Sequence, residues 1–225
     1  MNDLNKRAWI GIAQFFIATC ALIFVPVWTL HYGQAWLFLA AFFIPVLAIT
    51  IYLMNKDKKL LERRLTAGPS GEKTKIQKII QSIASVAFIT IFLVSSLDHR
   101  FTWSIVPPYL VLGGDVLVAL GLFFVYLVFR ANTYTSATIE IAPEQTVISS
   151  GPYALVRHPM YAGAFTMLVG IPLSLGSYWG ELAVAPLIFV IIWRLWEEEK
   201  FLANDLPGYT EYQQKVRSRL IPFIW

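Results

Sequence analysis

The sequence predicts an all-α bundle, a polytopic array of about six membrane-spanning helices, and three observations predict it. Of 225 residues, 57% are hydrophobic and only 14% charged, whereas soluble domains are nearer half apolar and a quarter charged. The apolar residues fall into runs, several of them long enough to cross a ~30 Å hydrocarbon core. The basic residues gather at alternate ends of those runs, the asymmetry that sets orientation in a membrane. The net charge of +4 is modest and its cations flank apolar runs, so no nucleic-acid face is expected. The single cysteine, Cys20, lies inside an apolar run. It excludes a disulfide framework or a cysteine-based zinc site within one chain.

Ala8 to Leu30 is the first run. It follows Lys6 and Arg7 and is too long for the apolar segment of a signal peptide, so it reads as a retained first span. Ala35 to Met54 is the second, with Pro45 inside it, which membrane helices tolerate when neighbours satisfy the freed carbonyl. The basic stretch from Asn55 to Lys78 is expected on the cytoplasmic side as a topology determinant, broken into two short helical pieces at Ala67 to Gly71. Ile79 to Leu97 is the third span and Tyr109 to Phe129 the fourth, with Asp98-His99-Arg100 and Trp103 to Pro108 expected in an outer loop between them. Asp115 sits near the outer end of the fourth span and reads as a solvated or helix-packing acid. Met160 to Leu175 and Leu182 to Trp193 form a hairpin of two shorter runs, turned at Gly176 to Gly180. Six crossings place both termini and all the large basic clusters inside. They divide the chain into N-terminal transmembrane helices (1–130) and a C-terminal region (131–225) that carries the chemistry.

That chemistry centres on Gly151 to Gly163, GPYALVRHPMYAG. Pro159 bars the α region for His158, so a helix is expected to begin at or just after Pro159. Arg157 and His158 then stand at its N-terminus, where the dipole favours anionic groups, although an ordinary interfacial loop would carry the same residues. A second stretch, Arg194-Leu195-Trp196-Glu197-Glu198-Glu199-Lys200, puts residues 194, 197 and 198 on one helix face. It reads as a structural ion-pair cluster or a ligand clamp. The two inner ends of an antiparallel helix pair are neighbours, which would bring His158 and Tyr161 to Arg194 and Glu198. Tyr209 and Tyr212, at i and i+3, read as an interfacial belt or a lid over a ligand. The three histidines are dispersed, and no metal site is expected.

GPYxxVRHPMYxG, a following Glu-Glu pair and a tail ending RLIPF resemble the isoprenylcysteine carboxyl methyltransferase family, including its bacterial and archaeal members. They are similar, more loosely, to membrane phospholipid methyltransferases. The likeness covers roughly residues 130 to 225. It implies S-adenosyl-L-methionine as methyl donor in a cytoplasm-facing pocket, and a lipophilic or prenylated small-molecule acceptor reached from the membrane lipid. The family's cofactor contacts fall on Gln145, Thr146, Val147, Ile148, Tyr153, His158, Pro159, Met160, Tyr161 and Glu198, and Arg194 matches an arginine placed for substrate. Gln145 stands where eukaryotic members have His, and Met160 where they have Ser.

The implied reaction is carboxyl methylation. It is an in-line displacement for which no proton need move, so positioning and exclusion of water supply the acceleration. A phospholipid amine or a thiol is an alternative acceptor. A nicotinamide-dependent reductase of the sterol-reductase type is a rival enzyme, and a scaffold or small transporter a rival class. Against transport, the polar residues collect at the inner ends of the helices rather than at mid-membrane.

Overall fold

The computed structural model describes residues 3–65 and 68–225. Ala67 of the expected helix break therefore lies outside the described residues. The chain forms α1 (Asp3–Val27), α2 (Gly33–Lys56), α3 (Lys58–Leu65), α4 (Lys75–Phe101), α5 (Pro108–Ala131), α6 (Pro159–Ser174), α7 (Tyr178–Asp205) and α8 (Tyr209–Lys215), with 3-10 turns at Pro69–Gly71 and Gly151–Ala154. No strand is present among the described residues. Five helices (α1, α2, α4, α5 and α7) are long and apolar enough to cross a membrane. The sixth apolar helix, α6, has 16 residues, about 24 Å at 1.5 Å per residue, and so falls short of the ~30 Å core. The expected hairpin is there but unequal, because α7 runs on for 28 residues.

Ile23, Phe38, Phe42, Phe92, Val118, Leu168, Ile171 and Leu187 form the main core between the long helices. Phe16, Ile17, Ile44, Val86, Leu112, Phe123 and Phe189 remain exposed on the flanks of the bundle, as lipid-facing side chains would. α5 and α6 approach most closely. A Cβ on Gly121 would lie 2.6 Å from the Gly163 carbonyl oxygen, and one on Gly170 would lie 2.7 Å from that of Gly114. Without the hydrophobic effect to drive helices together in lipid, such close approach of small residues is how they gain dispersion energy.

The end of the bundle at the α6–α7 turn is tied by polar groups. α4 continues through Asp98, His99 and Arg100, which the sequence placed in a loop. Asp98 is fully buried, and its carboxylate accepts from the Ser104 backbone N–H at 2.8 Å, the Ser104 hydroxyl at 2.5 Å and the Ser177 hydroxyl at 2.5 Å. Those three donors extend the helix, because they satisfy a carboxylate that a loop would have left to water. Ser177 also caps α7 by accepting from the Gly180 N–H at 2.8 Å, so the turn shrinks to residues 175–177. Tyr32 donates to the Leu175 carbonyl and stacks on His99 with ring centroids 3.6 Å apart.

At the other end, Asp57 stops α2 and starts α3, accepting from the Leu60 N–H at 2.9 Å. Leu60 and Leu61 are buried against Ala8, Leu53, Met54 and Phe129. The 55–78 stretch therefore folds back across the bundle end.

Candidate active site

A cavity of about 560 Å³ opens where this folded-back segment, the 131–157 stretch and the ends of α6 and α7 meet. Its wall includes Gln145, Thr146, Val147, Ile148, Tyr153, His158, Pro159, Met160, Tyr161, Arg194 and Glu198, so every residue that the resemblance implied for cofactor or substrate faces one space. The volume is within the ~300–1,000 Å³ of ordinary ligand pockets.

Helix α6 begins at Pro159 with His158 as its cap residue in a non-helical conformation, as the X-Pro restriction requires. The Arg157 and His158 backbone N–H groups donate to the Ser218 and Arg219 carbonyls, each at 2.9 Å. The tail is thereby laid along the start of α6. Arg157 completes that seam: its Nε donates to Glu199 Oε1 at 2.7 Å, and its Nη1 to the Val216 and Arg217 carbonyls at 2.8 Å. Glu199 also meets His158 Nε2 at 3.2 Å and Arg219 Nε at 3.0 Å. Glu199 is thus the buried carboxylate of the group, a role not assigned to it from sequence. Its signal is positional, since it lies one helical turn after the fully buried Leu195.

The expected common face of Arg194, Glu197 and Glu198 is split. Glu197 turns away and pairs with Lys200 at 2.8 Å, because i, i+3 spacing offered it a solvated cation. Glu198 accepts from the Tyr161 hydroxyl at 2.6 Å, and the same hydroxyl accepts from Arg194 Nε at 3.2 Å. Neither Glu197 nor Glu198 is the ion-pair partner of Arg194. That partner is Glu72, 2.7 Å from Nη2, with its side chain 1% exposed. Gln77 and the Ala137 carbonyl accept the remaining guanidinium bonds at 3.2 Å. Glu72 and Gln77 belong to the basic 55–78 stretch, whose role is therefore larger than topology. No sequence spacing links them to α7.

Tyr209 and Tyr212 are each 4% exposed and pack with Leu206, Val147 and Tyr153 against the cavity, which excludes an interfacial belt. Tyr212 donates to the Tyr153 carbonyl at 2.7 Å. Burial pushes the hydroxyls of Tyr153, Tyr209 and Tyr212 above their usual range, so all three stay neutral. The Tyr209 hydroxyl has no partner among the described residues. Gln145 spends its side-chain oxygen on the Ala142 N–H at 2.9 Å, which leaves its amide N–H groups as the available donors. No cluster of His, Cys, Asp or Glu among the described residues is placed to hold a metal ion.

Known proteins match the part of the chain that supplies much of the cavity wall. The phospholipid methyltransferase family model matches residues 109–206. A probable protein-S-isoprenylcysteine O-methyltransferase of Oryza sativa subsp. indica is 28% identical over 205 residues, covering 85% of this chain and 97% of that protein. The protein-S-isoprenylcysteine O-methyltransferase of Schizosaccharomyces pombe is 33% identical over 88 residues, 36% of this chain and 35% of its own. The cobalt-zinc-cadmium resistance protein CzcN of Cupriavidus metallidurans is 30% identical over 106 residues, 45% of this chain. The match spans 47% of CzcN, about half its length. The likeness first carried by RHPMY, the Glu pair and the RLIP tail is thus borne out as a resemblance to membrane methyltransferases, strongest where the family model matches residues 109–206.

Proposed function

We propose that the protein is an S-adenosylmethionine-dependent methyltransferase that acts on a lipophilic acceptor from the cytoplasmic side of the membrane, with the carboxylate of an isoprenylcysteine-like molecule as the acceptor the resemblance favours. The observation that carries this reading is the two-ended cavity. One end is lined by the 145–148 strip, Tyr153, His158 to Tyr161 and Glu198; the other by Phe42, Phe88, Leu122, Leu168, Leu187 and Ile191.

The residues present fit a sulfonium cofactor. Glu198 presents a carboxylate with no cation in ion-pair contact among the described residues, a site where a positive ligand gains Coulomb energy in low dielectric. Tyr153, Tyr161 and Tyr209 supply aromatic faces suited to a cation. The unpartnered Tyr209 hydroxyl and the Gln145 amide are donors and acceptors suited to ribose or carboxylate groups. When bound, the cofactor supplies an electrophilic methyl group. The chain's own residues hold both reactants, exclude water through the Tyr209–Tyr212 cover, and orient Glu198 through Tyr161 and Arg194. In this assignment residues 131–225 form the catalytic region, and residues 1–130 share with α6 and α7 the apolar end for the acceptor's tail. A phospholipid amine is the second reading, favoured by the family model that matches residues 109–206.

Calorimetry with S-adenosylhomocysteine against NADPH on the purified protein tests the proposal. S-adenosylhomocysteine is expected to bind, and Glu198→Gln to weaken S-adenosylmethionine, which carries the sulfonium charge, about tenfold or more, the usual scale for a lost charge-assisted contact. Binding of NADPH without S-adenosylhomocysteine would point to the reductase instead.

A further inference from the structure

The charged side chains around the cavity differ in whether their charge is met. Arg194 pairs with Glu72 at 2.7 Å, Arg157 with Glu199 at 2.7 Å, and Glu140 with Lys73 at 3.0 Å. Two remain without an opposite charge in contact among the described residues. Glu198 is one, and the methyl donor is proposed to meet it. The other is Arg64, on the last turn of α3 and part of the cavity wall. Its Nη1 donates to the Ser136 carbonyl at 3.0 Å, and its guanidinium lies 5.3 Å from the centre of the Phe129 ring. A carbonyl and a ring face hold a guanidinium in place without cancelling its charge. A half-buried charge with no counter-charge in contact carries part of the cost of leaving water, and an anionic ligand removes that cost.

We propose that Arg64 receives the oxyanion of the methyl acceptor. The assignment rests on the methyltransferase reading above and divides the cavity electrically, with a carboxylate for the cationic donor and a guanidinium for the anionic acceptor. Arg194 then becomes a positioning residue. Glu72 already pairs with its Nη2 and Gln77 takes its Nη1, and its Nε steadies Tyr161. An acceptor carboxylate brought to Arg194 would stand beside Glu72, two like charges in a dry site. At Arg64 it meets none in contact, and the planar fork suits a carboxylate or a phosphodiester equally. Either would sit at the head of an apolar tail running toward Phe42, Phe88 and Leu187, on the same cavity wall.

The test compares binding of paired probes to the protein in nanodiscs. N-acetyl-S-farnesylcysteine is set against its carboxamide, and dioctanoyl phosphatidylethanolamine against its methyl phosphotriester, which keeps the ammonium but loses the phosphate charge. The wild type is expected to prefer the oxyanion-bearing member of one pair. Carboxylate preference identifies a prenylcysteine-like acceptor, phosphodiester preference a phospholipid. Arg64→Gln is expected to reduce that preference about tenfold to a hundredfold, and Arg64→Lys to keep part of it. Arg194→Gln, which leaves Arg64 in place, should lower affinity for both members alike. S-adenosylhomocysteine affinity on the same samples reports separately: its retention in Arg64→Gln shows an intact fold, and its absence in the wild type would sink the methyltransferase reading while leaving an Arg64-dependent preference standing. No oxyanion preference in the wild type, a preference that survives Arg64→Gln, or one lost in Arg194→Gln instead would overturn the assignment.

Discussion

Arg194 shows how far a single residue's role depends on a partner that sequence does not reveal. Its position after an apolar run and before a Glu pair suggested an ion pair within one helix or a clamp for a ligand. Folding supplies Glu72 from a distant segment, with side chains 10% and 1% exposed for the Arg and the Glu. A buried pair broken on one side leaves the other charge uncompensated, a loss of about 3–5 kcal/mol, whereas removing both partners costs far less. Glu72→Gln and Arg194→Gln are each expected to lower the melting temperature in detergent, and the double variant to melt above the sum of the single losses. Strict additivity in that cycle would show that the pair is not coupled. Because Arg194 Nε also holds the Tyr161 hydroxyl that bonds Glu198, the single variant should weaken S-adenosylhomocysteine as well.

Among the helices, α5 and α6 are set by glycine rather than by bulk. Gly114 and Gly121 on one, Gly163 and Gly170 on the other, remove the side chains that would keep the two backbones apart. Gly121→Leu is expected to destabilise the protein by about 1–3 kcal/mol or more, as overpacking does, read as a lower melting temperature. Since α6 carries His158, Pro159 and Tyr161 at its start, the same change should loosen S-adenosylhomocysteine too; an unchanged melt would mean the helices sit further apart. The spans themselves were legible in the sequence because length and apolarity alone define them. The start of α6 was legible because Pro159 restricts its predecessor. The ends of α4 and α7 were not, since Asp98 and Ser177 extend helices only by finding each other across the fold. Glu199, Arg64 and Glu72 escaped for the same reason: charge in a polar segment reads as solvated until tertiary structure buries it.

Over the whole molecule, the basic 55–78 stretch and the α6–α7 turn should lie on opposite sides of the membrane. Ser70 is exposed, but Ser177 is fully buried in its bond to Asp98, so the exposed Tyr178 is the better reporter on the turn. In a Cys20→Ala background, Ser70→Cys and Tyr178→Cys are expected to react with an impermeant maleimide from opposite faces; labelling of both from one face would undo the six-crossing arrangement. The arrangement is not uniform in height, because α6 has 16 residues beside partners of 24 and 28. A bilayer meeting that short helix must thin locally or let its headgroups sink. On that flank of the protein, headgroups would dip toward the level of Pro159 and Tyr161. An amphiphile could then present its polar end to the pocket while its tail stays dissolved in lipid, sparing the enzyme the work of lifting a whole molecule out of the membrane.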